Sequence, residues 1–263
     1  MTLDIYQIDT FTKELFHGNP AAVCPLKEWL PFDVMLNIAK ENNLAETAYF
    51  IHKHDNIFQL RWFTPEIEMD LCGHATLASA FVITKCLNYE FEIIIFETLS
   101  GNLIVNTNGD LLEMNFPSRP AIPAKLPDII TQSLSISPIE IYKARDYLLL
   151  YKSEESVLNI ELNAAILEQF NMDPGGIIIT AQGITSDFVS RFFTPGAAVF
   201  EDPVTGSSHC TLVPFWAERL NKTKLHARQV SERGGDLYCN LDNNRVLIRG
   251  SALKYLQGQI EIP

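Results

Sequence analysis

Apolar and polar positions alternate from the first residues of the chain. Leu3, Ile5 and Ile8 stand against Asp4, Gln7 and Asp9, the period-two pattern of a half-buried strand. Gly18-Asn19-Pro20 reads as a turn and Ala21-Ala22-Val23-Cys24 as a second strand. From Phe32 to Asn42 the apolar positions fall at 32, 35, 36 and 39, which is helix spacing. Strands are expected over 46–51 and 58–64, a loop over 65–71, and then a helix opened by Gly73 and running over 75–87. That helix is small or apolar at nearly every position apart from Ser79, Thr84 and Lys85. A helix without a polar face is expected to be buried. Strands follow at 91–98, near 102–106 and near 110–116. Prolines at 117, 120, 123 and 127 mark a linker. Beyond it the pattern predicts a strand at 147–152, helix within 153–170, strands at 176–181 and 188–194, a helix from about 207 to 220, and several closing strands.

The plan is written twice. Arg61-Trp62-Phe63-Thr64-Pro65 returns as Arg191-Phe192-Phe193-Thr194-Pro195. Gly73-His74-Ala75-Thr76-Leu77 returns, with two residues inserted, as Gly206-Ser207-Ser208-His209-Cys210-Thr211-Leu212. Ser100-Gly101-Asn102-Leu103 returns as Gly234-Gly235-Asp236-Leu237. Three matches in one order and at nearly one offset imply a duplicated chain. The expectation is an α+β protein of two similar lobes, 1–117 and 118–263, with the last strand free to cross back to the first. Each lobe is a curved mixed sheet wrapped around its apolar helix, and paired lobes make a cleft.

Composition narrows the function. The 263 residues are 47% hydrophobic and 20% charged, enough for a full core. The formal net charge of −12 argues against a nucleic-acid partner, which would need clustered Lys and Arg. It also offers no attraction to an anionic membrane surface. No apolar run approaches a membrane span, and the Met-Thr-Leu-Asp-Ile-Tyr start lacks the basic-then-apolar order of a signal peptide, so a soluble cytoplasmic protein is expected. The five cysteines, an odd count without a C-x-x-C, suggest neither a disulfide framework nor a zinc ribbon. No G-x-G-x-x-G or Walker sequence points to a nucleotide.

The candidate chemistry gathers at the two apolar helices. Both begin at a glycine, Gly73 and Gly206, and a helix N-terminus presents unpaired N–H groups that favour a carboxylate. The glycines would otherwise serve only as tight turns. His74 follows Gly73, where the helix N-terminus favours a neutral ring able to pass protons. Packing is the competing role for a single histidine. Glu46 enters an apolar strand, an environment that raises a carboxyl pKa toward general acid/base use, unless it faces solvent at the edge. The equivalent segment of the second half, Gly175-Gly176-Ile177-Ile178-Ile179, carries no acid, so a single base is implied. Asp202 precedes the second helix, as a cap or as a group that orients the substrate. Cys72 precedes Gly73, but its counterpart is Thr205, so a two-thiol racemase is disfavoured and Cys72 reads as a small buried residue. His52-Lys53-His54-Asp55 reads as a solvated turn rather than a metal site.

Taken together, these residues resemble the phenazine-biosynthesis (PhzF-like) family of isomerases, built on the diaminopimelate-epimerase fold. The resemblance rests on Asp9-Thr10-Phe11 with Phe16-His17-Gly18-Asn19-Pro20-Ala21-Ala22-Val23, on Leu44-Ala45-Glu46-Thr47-Ala48, and on Arg61-Trp62-Phe63-Thr64-Pro65. It rests further on Asp70-Leu71-Cys72-Gly73-His74-Ala75-Thr76-Leu77, on Ser100-Gly101, and on Glu201-Asp202-Pro203-Val204-Thr205-Gly206-Ser207-Ser208-His209. It implies two pseudo-symmetric lobes, each a barrel-like mixed sheet around a central helix, with the active site between them. It implies no cofactor, no metal and a homodimer. Glu46 would be the proton shuttle, assisted by His74 and Asp202. Asn19, Gly73, Thr205, Gly206 and Ser207 would bind a small anionic metabolite. The alternatives are an epimerase or racemase of an amino or hydroxy acid, and a ligand-binding protein that kept the fold without catalysis.

Overall fold

The computed structural model describes residues 1–107, 109, 111–170, 172, 175–197 and 199–262. The chain forms two compact units, Met1–Asn115 with Arg249–Pro263, and Phe116–Ile248. The first contains β1 (Thr2–Thr10), β2 (Asn19–Leu26), α1 (Phe32–Asn42), β3 (Glu46–His54), β4 (Ile57–Phe63), the two-residue β5 (Glu68–Met69) and α2 (Gly73–Phe81). A π-helical segment, Val82–Cys86, continues α2, and β6 (Ile93–Thr98) and β7 (Gly101–Asn106) follow, while β8 (Leu112–Pro117) runs across the boundary between the two units. The second contains β9 (Ile122–Pro123), α3 (Asp128–Ser133), β10 (Glu140–Lys143), β11 (Tyr147–Leu150), α4 (Glu154–Asn159), α5 (Ala164–Leu167), β12 (Ile177–Gln182) and β13 (Phe188–Phe193). It is completed by β14 (Glu201–Asp202), α6 (Gly206–Leu220), β15 (Lys224–Gln229) and β16 (Gly235–Asp242), and β17 (Arg245–Gly250) runs from it into the closing segment of the first unit. β18 (Ala252–Glu261) returns to the first unit, antiparallel to β1.

Strand orientation repeats between the halves. In the first unit β1 is antiparallel to β2, β2 parallel to β3, β3 antiparallel to β4, β4 parallel to β6, and β6 antiparallel to β7. In the second, β10, β11, β12, β13, β15 and β16 follow one another with the same orientations. The short β5 pairs with the end of β4, as β14 does with the end of β13. Even an ion pair is repeated. The guanidinium of Arg61 donates to both carboxylate oxygens of Glu68 at 2.6 and 2.8 Å, and that of Arg191 to Glu201 at 2.7 and 2.8 Å. The planar guanidinium suits this two-point geometry.

The parallel pairs explain the continuous apolar runs. A strand covered on both faces must be apolar at successive positions. On β2, Ala22 and Cys24 face α1 through a cluster with Met35, Ile38 and Ala39, whose edge is pinned by the Tyr49 hydroxyl donating to the Met35 carbonyl at 2.7 Å. The other face is covered by α2, which packs against β1, β2, β3 and β18. Every residue from His74 to Ala80 is buried. In the second unit Ile177 and Ile179 of β12 pack with Val157, Ile160 and Leu167 on one face. On the other, Thr180 accepts a hydrogen bond from Trp216 of α6 at 2.9 Å.

The hydroxyls buried on α2 are satisfied locally. Thr76 donates to the Cys72 carbonyl at 2.5 Å and Ser79 to the Ala75 carbonyl at 2.8 Å, the back-bonding open to Ser and Thr within a helix. The expected helix over 75–87 is regular only to Phe81. Thr84 donates its hydroxyl to the Ala80 carbonyl, and beyond that point the Leu87 N–H reaches five residues back to Val82. In α6, Pro214 has no N–H to offer the Cys210 carbonyl, and the Arg119 N–H takes its place at 2.8 Å. The proline-rich stretch is therefore docked rather than a bare linker, and Ile122–Pro123 pairs with β10.

Other expectations shift by small amounts. Asn19 and Pro20 belong to β2, leaving Gly18 alone at the bend with φ of +69°. The loop expected over 65–71 contains β5, and α3 and β10 were not anticipated. The strand expected near 110–116 is Leu112–Pro117, and residue 110 lies outside those described. All five cysteines are free thiols. No helix among the described residues is long and apolar enough to cross a membrane.

Candidate active site

Glu46 is the first residue of β3. Asn43 ends α1 in the left-handed conformation, φ 48°, and turns the chain into the strand. The parallel register sets Glu46 beside Ala21, on the face of β2 opposite Ala22 and Cys24. Glu46 therefore projects away from α1, toward α2. Its Oε2 lies 3.2 Å from Nε2 of His74, the second residue of α2, in an approach that falls outside hydrogen-bond geometry. The two side chains are 15% and 6% exposed. On the far side of the ring, the Cys72 thiol lies 3.5 Å from Nδ1.

Burial pushes the His74 pKa down to about 3. The ring is therefore neutral near pH 7, and its contact with Glu46 is not an ion pair. The direction agrees with the sequence-based expectation, and burial supplies its cause. A neutral imidazole has one N–H and one lone pair, so it can donate at one nitrogen while accepting at the other.

The start of α2 suits an anion. Cys72 holds the N-cap position in extended conformation, φ −141°, and makes no side-chain cap hydrogen bond. Glu46, Cys72 and His74 also place ligand-type atoms within 4.8 Å of one another. Opposite ring nitrogens face the thiol and the carboxylate, so the observed arrangement does not converge on one point. The partial positive charge of the helix end further opposes a cation.

In the second unit, the Thr205 hydroxyl donates to Oδ2 of Asp202 at 2.5 Å. Thr205 is the N-cap of α6, again extended and without a side-chain cap bond, and Gly206 and Ser207 form the first turn. Gln229, at the end of β15, holds this corner. Its Oε1 accepts from the Thr205 N–H at 2.9 Å, and its Nε2 donates to the Asp202 carbonyl at 2.7 Å and to the Thr205 hydroxyl at 3.2 Å. Sequence reasoning missed Gln229 because only the parallel pairing of β15 with β13 brings it to Thr205. His209 is also buried, with a pKa lowered to about 4 by burial. Its Nδ1 lies 2.7 Å from the Thr205 carbonyl and so carries the proton.

The structure thus joins Glu46 with His74, adds Cys72 to them, and joins Asp202 with Thr205. Asn19 is buried at the start of β2, and its register position shares the face of Ala21 and Glu46. His52 and His54 are exposed, and the His52 ring meets the local turn at the Asp55 carbonyl and the rings of Phe58 and Tyr89.

Residues 8–258 match the family described as phenazine biosynthesis-like protein. The chain belongs to the phenazine biosynthesis-like family. A Pseudomonas aeruginosa protein named an uncharacterized isomerase is 43% identical over 262 residues, covering 100% of both chains. The crystal structure of a PhzF-family phenazine biosynthesis protein from Enterococcus faecalis is similar with a TM-score of 0.94 and 42% identity, over 100% of each chain. A probable proline racemase from Agrobacterium radiobacter, 7% identical, shares the fold with a TM-score of 0.65 over 99% of this chain and 93% of that one. Phenazine biosynthesis-like membership supports a function of the isomerase type.

Proposed function

We propose that the protein is a cofactor-independent isomerase that relocates a proton on a small carboxylate-bearing metabolite, with Glu46 as general acid/base. The observation that carries this reading is the approach of Glu46 to the neutral His74 ring at the uncapped start of α2. A substrate carboxylate docked on the N–H groups near Gly73 would be partly neutralised, which acidifies the adjacent C–H. Glu46 then takes that proton and returns it to the same or another carbon. Neutral His74 donates and accepts hydrogen bonds without adding charge. Asn19 lines the same sheet face. In the second unit, Asp202 and Thr205 stand at the corresponding helix start with Gly206 and Ser207.

The test is a screen of amino and hydroxy acids in heavy water with mass detection, which reports C–H exchange without knowledge of the product. Glu46→Gln is expected to lower the exchange rate by about 10²- to 10⁴-fold, the usual contribution of a general base. A Gln variant as active as the parent rules out this role. Inversion at a single exchanged stereocentre would mark epimerisation, and a displaced double bond positional isomerisation.

A further inference from the structure

We propose that the Cys72 thiol sets the ring tautomer of His74, and so fixes a proton on the nitrogen that faces Glu46. The proposal rests on the reading of Glu46 as the base. It makes Cys72 a positioning residue, acting through His74 rather than on the substrate.

Two contacts on opposite edges of one ring select the same state. Nε2 stands 3.2 Å from a carboxylate oxygen of Glu46. A lone pair at Nε2 would face that negative oxygen and be repelled, whereas an N–H there is attracted even off the ideal line. A neutral ring with its proton on Nε2 has its lone pair on Nδ1, which then needs a donor because the ring is buried. The Cys72 thiol, 3.5 Å from Nδ1, is that donor. The nitrogen that carries the proton is set by the partner of the other nitrogen.

The backbone holds this pairing. Cys72 is the extended N-cap of α2 and His74 is two residues later, inside the first turn. The Cys72 carbonyl receives the Thr76 hydroxyl, which ties the cap residue to the helix. The N–H on Nε2 favours the ionised form of Glu46, the form that removes a proton. The opposite tautomer would present a lone pair to Glu46 and favour its protonated form instead. The order of states in the reaction is therefore biased by a thiol on the far side of the imidazole. This also gives Cys72 a purpose without a second thiol.

The experiment reads the tautomer directly and needs no substrate. Protein labelled with 15N in its six histidines is examined near pH 7 by long-range proton–nitrogen correlation, and His74→Asn assigns the ring by the signal it removes. The expected wild-type pattern has Nε2 protonated and Nδ1 bare. Cys72→Ala is expected to shift the ring to a mixture or to the Nδ1–H form, and Cys72→Ser, which keeps a donor, to restore the original pattern. Wild-type protein with Nδ1 protonated overturns the proposal by itself, whether or not the variants fold. An unchanged tautomer in folded Cys72→Ala overturns it as well. The Glu46→Gln exchange assay fails or succeeds independently, so the two ideas are separable.

Discussion

Oε2 of Glu46 and Nε2 of His74 meet at 3.2 Å, joining the first residue of β3 to the second residue of α2. The contact is made by a partly exposed acid and a buried ring held neutral by desolvation. If the ring supports the acid rather than acting on substrate, His74→Asn should slow exchange less than Glu46→Gln does. We expect a loss of about tenfold, or about 1.4 kcal/mol in the barrier. Equal losses in the two variants would instead give His74 a direct role.

Acid should destabilise the fold through its buried histidines. The pKa of His74 is lowered to about 3 and that of His209 to about 4, each by burial. An unfolded chain protonates its histidines near pH 6.5. Below that value the unfolded state binds protons that the folded state refuses, so stability falls as pH drops, until the folded groups titrate near 4 and 3. Each histidine contributes a slope approaching about 1.4 kcal/mol per pH unit inside this window. Urea unfolding between pH 7 and 4 should show the decline, and a folded His209→Gln variant should show a shallower one. Equal slopes in parent and variant would remove His209 from the explanation.

Gln229 should matter to stability despite its distance in sequence from Asp202 and Thr205. Gln229→Leu would remove the partner of the buried Thr205 N–H. The cost of one such buried donor is on the order of 1–3 kcal/mol. We expect a lowered denaturant midpoint, with any loss of exchange activity appearing together with it. A variant as stable as the parent would show that water or another group takes over the corner.

Gly18 is the glycine whose replacement should be least tolerated. It adopts φ of +69°, and a Cβ there would meet the Thr10 carbonyl oxygen at 2.0 Å and Cγ2 of Thr12 at 2.8 Å. The first obstacle is backbone in β1, which cannot swing aside. Gly18→Ala should therefore cost more than the roughly 1 kcal/mol set by backbone conformation alone. Thermal unfolding measures this, and a melting point within a degree of the parent would contradict the close approach. Gly109, also at positive φ but with open space around its Cβ position, is the control.

Much of this architecture was legible in the residues. The spacing of Phe32, Met35, Leu36 and Ala39 marks α1 with the bounds observed, because one apolar face must meet a sheet and the other water. The repeated Arg-aromatic-Phe-Thr-Pro motif corresponds to β4 and β13, whose arginines each grip a glutamate from the following short strand. The end of α2 was not legible. The apolar pattern continues unchanged through Val82 and Ile83 and does not record whether a carbonyl is met four or five residues on, as it is between Val82 and Leu87. β10, four residues long, is too brief for its alternation to stand out.

The sequence alone determined the duplicated plan, the buried helices and the presence of one acid without a counterpart, since periodicity and repetition are properties of order along the chain. The tertiary structure alone decided that Glu46 meets His74, that Cys72 lies behind the ring, and that Gln229 closes the Asp202–Thr205 corner. Those relationships depend on strand register and on which face a residue occupies. A shift of one position would turn every side chain of a strand to the other face, and no local pattern records which alignment the packed core selects.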